Sequence, residues 1–256
     1  MKQKSFYSNC LALVLTGLCV IPYAHVLINS FFSTTGTGLG AYYEVFLAEN
    51  QYLLRFWKSL ALSTCIALVQ VAVSAFAGYG FAKAKFPGKD LLFFLLMVMM
   101  ILPLQVTLVP NYLMLKEMGL LNTVYALALP AMFVPLGTFI MTRSFQSVPN
   151  EIIEAARLDG CGAIGVVWRI CAPMNKSGLV CTLLLSFLDS WNMVEQPMVY
   201  LEDAAQYPLS VSLATTPPGD PAVQLVCCIL VALPPLFLFA NYKRELVEGI
   251  AIGGEK

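Results

Sequence analysis

The fold is decided by residues 147–173, which read SVPNEIIEAARLDGCGAIGVVWRICAP in a chain that is otherwise mostly apolar. Pro149 suits the first turn of a helix, and Gly160 can supply the left-handed residue that ends one. Glu151 and Glu154 place negative charge near the positive end of the helix dipole. The pattern therefore predicts a helix of about three turns between Pro149 and Gly160.

One face of this predicted helix is small and apolar. Ile152, Ala155, Ala156 and Asp159 follow one another at helical spacing. Such a face suits docking against another protein, although a solvated loop helix would show the same spacing. Both interpretations remain open on spacing alone.

The composition is that of a membrane protein. Of 256 residues, 59% are hydrophobic and only 12% are charged, whereas soluble domains have about 25% charged residues. The formal net charge is zero, and basic residues are not concentrated on one surface. Because nucleic-acid binding depends on a basic surface, the sequence argues against nucleic acid as a partner.

The sequence lacks the motifs of a metal site or a nucleotide-binding site. Most of the 8 cysteines lie in apolar runs, where cysteine behaves as a small core residue. Cys161 and Cys171 lie in the polar stretch but have no nearby histidine to complete a zinc site. Gly88-Lys89 lacks the upstream glycine and the hydroxyl residue of a GxxxxGK(S/T) phosphate-binding loop. We therefore predict a non-catalytic chain that holds no metal and no cofactor of its own.

Six hydrophobic segments are long enough to cross a bilayer, which requires roughly 20 residues of helix. Pro103 and Pro110 predict a kinked helix in the third segment. We predict an all-α membrane protein that forms a single transmembrane domain over residues 1–256. The predicted spans are residues 10–28, 56–81, 91–115, 122–142, 179–200 and 223–242.

The basic residues predict how these spans are oriented. Of the 15 Lys and Arg residues, only Arg55, Lys58 and Lys116 lie on the side opposite to residues 147–173. By the positive-inside rule, the side richer in Lys and Arg faces the cytoplasm. We therefore predict that both termini and residues 147–173 are cytoplasmic, and that the polar residues 30–52 and the acidic residues 201–221 form outer loops.

Few polar side chains lie inside the predicted spans. Asp189 lies in the fifth span, where a charge costs about 2.5–3.5 kcal/mol on insertion scales. With Ser186 and Asn192 it could line a wet path for a polar solute, or it could pair across an interface with a second membrane subunit. Gln105 and Asn111, near the prolines of the third span, are further candidates for such a path.

The triplet Glu154-Ala155-Ala156, followed by Gly160 and, after a spacer, by Pro173, resembles the EAA loop of ABC importer permeases. In that family the loop forms coupling helices that lie in a cleft of a cytosolic ATPase. The resemblance implies the same ATPase-coupling role for Glu154, Ala155, Ala156, Asp159 and Gly160.

Further stretches resemble the carbohydrate, MalG-like branch of these permeases. They include LPLQVTLVP at residues 102–110, GLLNT at residues 119–123 and VEGI at residues 247–250. The resemblance implies the ABC importer type I permease fold and a complex that imports a sugar or oligosaccharide across a prokaryotic-type inner membrane. Its other members would be a second, different permease, an ATPase dimer that binds ATP and Mg, and an extracytoplasmic solute-binding protein. Glu195 and Gln196 depart from the family, in which that segment is usually apolar.

Two alternative functions remain open at this point. Related permeases carry glycerol phosphates, although this sequence has no clear intramembrane Arg or Lys to bind a phosphate. A stand-alone secondary transporter or channel would be favoured by inverted repeats or by paired intramembrane ions. The sequence shows neither of these features.

Overall fold

The computed structural model describes residues 2–33, 36–48, 50–215 and 219–254. Within these residues the chain is helical apart from one antiparallel pair of two-residue strands. The elements of the first half are α1 (Lys2–Asn29), β1 (Phe32–Ser33), β2 (Gly36–Thr37), α2 (Gly40–Tyr43), a π-helical turn (Glu44–Ala48), α3 (Asn50–Lys83), α4 (Lys89–Ile101), α5 (Leu104–Glu117), α6 (Val124–Ala131) and α7 (Pro135–Gln146).

The second half is also helical and contains several short elements. The predicted outer loop after residue 200 has a helix of its own, as does the first predicted outer loop. The elements of this half are α8 (Asn150–Leu158), α9 (Ala163–Val166), a π-helical turn (Val167–Cys171), α10 (Ala172–Met174), α11 (Lys176–Trp191), α12 (Glu195–Tyr200), a 3₁₀ turn (Ala204–Gln206), α13 (Leu209–Thr215) and α14 (Pro221–Gly254).

Among the residues that the structure describes, fewer than six helices have the length and composition of a membrane span. Three segments qualify, and two bent helix pairs raise the number to five if each pair is one span. In α1, the residues whose side chains the structure describes form the apolar helical stretch Val14–Asn29. The three segments that qualify are Gln51–Lys83, Val124–Gln146 and Pro221–Gly249.

The third predicted span, residues 91–115, is two helices rather than one kinked helix. α4 ends at Ile101 and α5 begins at Leu104, with a bend of 104° between them. Pro103 has no N–H to donate and disfavours the helical conformation of the residue before it. Leu102 accordingly has an extended ψ of 126°. Pro110, by contrast, is accommodated inside α5.

The prediction of one helix over residues 179–200 is wrong at its C-terminal end. α11 ends at Trp191, and α12 begins only at Glu195. In a continuous helix the ring of Pro197 would clash with the carbonyl group of Met193, four residues earlier. The chain therefore leaves the helix at Asn192, whose ψ is 6°, and Pro197 lies in the first turn of the new helix, where its missing N–H has no cost.

Packing divides the chain into two compact units. The larger unit comprises residues 58–211 and 235–256, and the smaller comprises residues 1–57 and 212–234. In the smaller unit, the hydroxyl of the buried Ser30 donates to the carbonyl of Leu27 at 2.7 Å and contacts the hydroxyl of Tyr42 at 2.7 Å. These contacts hold α2 to the end of α1.

In the larger unit, α3 and α7 approach each other closely at Gly78. A Cβ atom added to Gly78 would lie 2.6 Å from the Cβ of Met141 and 2.9 Å from the backbone nitrogen of Thr142. Because the backbone of α7 is one of the obstacles, a side chain can be accommodated only if the two helices move apart. Gly80, on the same helix, has no atom within 4 Å of its added Cβ.

We expect Gly78→Ala to destabilise the protein by about 1–3 kcal/mol, the usual cost of overpacking. The measurement is the fraction of folded protein that survives heating in detergent, followed by size-exclusion chromatography. Gly80→Ala is the matched control and should behave as the wild type. If Gly78→Ala survived heating as well as Gly80→Ala, the close packing of α3 on α7 would be contradicted.

Candidate functional site

The polar stretch folds around α8, a helix of 9 residues. Pro149 precedes the helix with an extended ψ of 138°, and Gly160 follows it with a φ of 83°. The N–H of Cys161 donates to the carbonyl of Ala156 at 2.9 Å, and the N–H of Gly160 donates to the carbonyl of Arg157 at 3.0 Å. These two bonds are those of a Schellman motif, in which a left-handed glycine ends the helix. The predicted short helix with its left-handed residue at Gly160 is confirmed.

The inner face of α8 is fixed to α3. Ile153 is only 4% exposed and lies in an apolar cluster. One helical turn later, the guanidinium group of Arg157 donates to the hydroxyl of Tyr79 at 2.9 Å. The cluster consists of Ala75, Tyr79, Met141, Phe145, Val148, Ile153, Val166, Val167 and Cys171.

Lys83, the last residue of α3, fixes the segment between α7 and α8. Its ammonium group donates to the carbonyl of Val148 at 2.5 Å and to that of Gln146 at 3.4 Å. It also donates to the Oδ1 of Asn150 at 3.1 Å. Carbonyl groups at the end of a helix have no partner within that helix, so a lysine there supplies the missing donor and opposes the helix dipole.

The outer face of α8, formed by Glu154, Ala155, Leu158 and Asp159, is exposed. Leu158 is 89% exposed and follows Glu154 and Ala155 at helical spacing. Ala156 is half-buried, and Gly160 is exposed just beyond the helix. Exposed apolar side chains in a polar segment are typical of a protein-binding surface. The large apolar side chains exposed in residues 147–173 are Ile152, Leu158, Ile164 and Trp168.

α8 is also linked to the start of α11. The hydroxyl of Ser147 donates to the Oδ1 of Asn175 at 3.1 Å, and the Nδ2 of Asn175 donates to the carbonyl of Cys171 at 3.1 Å. Asn175 is buried and lies directly before α11. The segments before and after α8 are thus joined by side-chain hydrogen bonds.

Ser186, one of the candidate path residues, lies inside the helix bundle. Its side chain is 5% exposed, and its hydroxyl donates to the amide oxygen of Gln70. The Nε2 of Gln70 donates in turn to the carbonyl of Val134 at 3.3 Å. Gln70 is not among the predicted path residues. Its amide group within an apolar run is a signal that could have identified it.

The other candidate path residues lie on α5 and near the C-terminal end of α11. The Nε2 of Gln105 donates to both carboxylate oxygens of Glu195, at 3.0 and 3.1 Å. Asn111 is half-buried on the same helix, and the hydroxyl of Tyr200 on α12 donates to the carbonyl of Leu108 on α5 at 3.4 Å. Asp189 and Asn192 are exposed at the end of α11. The structure therefore brings the α5 candidates against α12, but it does not gather all five candidates at one place.

The central part of the chain is similar to a known protein family. The model of the family described as "Binding-protein-dependent transport system inner membrane component" matches residues 70–194. The matched residues include α8 and the helices on both sides of it. Similarity to individual proteins extends over more of the chain.

Two relatives and one solved structure illustrate this similarity. The chain is 28% identical to the arabinooligosaccharides transport system permease protein AraQ of Halalkalibacterium halodurans, over 90% of this chain and 83% of AraQ. It is 32% identical to the probable ABC transporter permease protein YurM of Bacillus subtilis, over 78% of this chain and 69% of YurM.

The solved structure is that of a bacterial ABC transporter involved in the import of the acidic polysaccharide alginate. One of its chains matches with a TM-score of 0.74 and 19% identity, over 92% of this chain and 94% of that chain. This likeness shows a shared fold. The 32% identity to YurM, over 78% of this chain and 69% of YurM, together with the family match, shows that the chain belongs to the family of binding-protein-dependent transport system inner membrane components.

Proposed function

We propose that this chain is the membrane-spanning permease subunit of an ABC importer that moves a sugar or oligosaccharide into the cytoplasm. We further propose that α8 couples the chain to a separate ATPase. The observation that carries the proposal is the two-sided structure of α8. Its inner face is fixed to the helix bundle through Ile153 and Arg157, whereas its outer face is exposed and partly apolar.

This arrangement would let a movement of the ATPase reach the membrane helices. A helix that lies in a moving cleft transmits force only if it cannot slide or rotate against the helices it acts on. α8 is fixed to α3 through Tyr79, and Lys83 and Asn175 hold the chain on either side of it. ATP-driven closure of the ATPase would therefore displace α3, α7 and α11 together with α8.

Each of the five coupling residues has a physical role in this proposal. Ala155 and Ala156 keep the helix surface small, so that a cleft can approach the backbone. Glu154 and Asp159 present negative charge to the partner, and Gly160 ends α8 tightly enough for the helix to fit. These residues recognise the partner and catalyse nothing.

The proposal assigns the remaining functions to other subunits. ATP and Mg would be bound by an ATPase dimer in the cytoplasm, and an extracytoplasmic solute-binding protein would deliver the solute. A second, different permease would complete the pathway. The chain would be a multi-pass protein of a prokaryotic-type inner membrane, with both termini in the cytoplasm.

The proposed substrate class rests on similarity to AraQ, which is named for arabinooligosaccharides. A permease for glycerol phosphate or another polar solute is the alternative within the same family. A stand-alone secondary transporter is the alternative from another class. An uptake experiment with defined solutes separates these three functions.

We expect the purified chain to be inert when it is reconstituted alone into proteoliposomes. It should neither hydrolyse ATP nor accumulate labelled arabinotriose or glycerol 3-phosphate under a proton or sodium gradient. The same chain, co-expressed with its proposed second permease, ATPase and solute-binding protein, should import arabinotriose when ATP is present.

Each alternative predicts a different result in this experiment. Gradient-driven accumulation by the chain alone would establish a secondary transporter and contradict the proposal. ATP-driven import of glycerol 3-phosphate, without import of arabinotriose, would support an ABC importer but would contradict the proposed sugar substrate. A complex that contains a catalytically inactive ATPase is the control, and it should import neither solute.

A further inference from the structure

Gln105 and Glu195 join two places where a predicted span is broken. Gln105 lies in the first turn of α5, directly after the break at Pro103, and Glu195 is the first residue of α12, after the break that follows Trp191. The amide nitrogen of Gln105 lies 3.0 and 3.1 Å from the two carboxylate oxygens of Glu195. Both side chains are exposed.

The depth of this pair follows from the lengths of the preceding helices. α4 has 13 residues and α11 has 16, so at 1.5 Å per residue they extend about 20 Å and about 24 Å from Lys89 and Lys176. The hydrocarbon core of a bilayer is about 30 Å thick. If both lysines lie at the cytoplasmic surface, as the proposed topology requires, Gln105 and Glu195 lie within the membrane.

A carboxylate at this depth needs water or a protein partner, because facing lipid is costly. Broken helices at membrane depth are likewise found where they are buried in protein or line a water-filled cavity. In secondary transporters, paired helix breaks of this kind form the substrate site. The exposure of Gln105 and Glu195 and the two adjacent breaks therefore favour a position on the solute path.

The stretch of sequence around Glu195 is acidic. Between Lys176 and Lys243 the sequence contains five Asp and Glu residues and no Lys or Arg. Among the residues that the structure describes, Glu195 has no cationic partner within hydrogen-bonding distance, and the neutral amide of Gln105 is what holds its carboxylate. No cation among the described residues therefore neutralises the negative charge of Glu195.

We propose that Glu195, oriented by Gln105, lines the solute path and makes it select uncharged, hydroxyl-bearing solutes over anionic ones. The carboxylate oxygens accept hydrogen bonds from hydroxyl groups, and Gln105 retains its own carbonyl oxygen as a further acceptor. The same charge repels carboxylate and phosphate groups. This inference rests on the proposed function and deepens it, because it names the charge class of the solute.

The test uses reporter cysteines in the assembled complex, in membrane vesicles, with the native cysteines of this chain replaced by serine. Met198→Cys and Val199→Cys, studied separately, place a thiol one helical turn from Glu195, at positions that are 51% and 44% exposed. Each thiol reacts with a cationic (trimethylammonium) or an anionic (sulfonate) methanethiosulfonate, and the ratio of the two rates is measured.

We expect at least one reporter to react with both reagents. Replacing Glu195 by Gln should lower the cationic-to-anionic rate ratio about fivefold, because one nearby negative charge is removed. Glu195→Asp keeps the charge and should keep the ratio high. Asp90→Asn, at an exposed aspartate in the first turn of α4, is the control for non-local charge effects and should also leave the ratio unchanged.

Two results would overturn this inference. Reaction at neither reporter would mean that α12 is covered near Glu195 by protein, such as a second membrane subunit, and is not exposed to water. A ratio that Glu195→Gln leaves unchanged would mean that the charge does not act on the path. Neither result depends on ATP hydrolysis or on the identity of the sugar, so the uptake experiment above remains an independent test of the proposed function.

Discussion

Gly160→Val should leave the chain in the membrane with its partner permease but abolish solute uptake. Gly160 has a φ of 83°, a conformation that costs an L-residue with a side chain about 1–2 kcal/mol, and β-branched residues adopt it rarely. The substitution therefore breaks the hydrogen bonds that end α8 and adds bulk where a cleft would enclose the helix. Uptake, membrane abundance and the amount of co-purified ATPase should be measured together.

Gly162→Val is the matched control for this substitution. Gly162 has an ordinary φ of −71°, and an added Cβ meets no atom within 4 Å. Uptake should therefore stay close to that of the wild type.

Glu154→Lys, which reverses one charge on the outer face of α8, should reduce uptake less than Gly160→Val does. Normal uptake by Gly160→Val at normal abundance would mean that α8 is only a solvated loop helix.

Lys83→Met should have the second largest effect, because it removes the cation that holds the end of α7 and the start of α8. Hydrogen bonds to charged groups contribute about 1.5–3 kcal/mol, so the equilibrium constant between the fixed and the released position of α8 should fall at least about tenfold. Uptake should fall as the released position becomes populated. Trypsin cleavage within residues 143–169 should become faster, while membrane abundance changes little.

The control for Lys83→Met lies two residues further along the chain. Lys85 is exposed, and within the described residues it has no hydrogen bond or ion pair. Lys85→Met removes the same charge without releasing α8 and should leave both uptake and proteolysis unchanged. If the two variants behaved alike, the loss of positive charge rather than the loss of the Lys83 contacts would explain the effect.

α8 was predictable because local backbone rules determine it. Pro149, directly before the helix, and Gly160, directly after its C-terminal end, are sufficient to define both ends. Of the predicted face, Ile152, Ala155 and Asp159 are exposed in the structure, whereas Ala156 is half-buried. The prediction erred slightly in length, because Pro149 precedes the helix rather than lying in its first turn.

The helix breaks were only partly predictable. Pro103 indicated a disturbance in the third span, but a proline alone does not distinguish a gentle kink from the 104° bend that the structure shows. The size of the bend depends on what α5 packs against, and α12 lies far away in the sequence. Pro197 could have indicated the break after Trp191, because a proline in a helix interior removes a backbone hydrogen bond and kinks or breaks the helix.

The contacts that fix α8 could not be predicted from the sequence. Arg157 and Tyr79 are 78 residues apart, and Lys83 and Val148 are 65 residues apart. No periodic pattern connects positions at such separations. In the sequence Lys83 is one of three lysines between the second and third predicted spans, whereas in the structure its ammonium group donates hydrogen bonds at two helix ends.

Site-specific cross-linking of α8 to the ATPase is the most direct test of the central claim. Leu158, 89% exposed, is replaced by cysteine in a chain whose native cysteines are serine, and the assembled complex is treated with a short bifunctional maleimide. Asp203→Cys, in the predicted outer loop, is the control. The account predicts a product of this chain with the ATPase from Leu158→Cys and none from Asp203→Cys. No such product from Leu158→Cys in an active complex would contradict the claim that α8 docks on the ATPase.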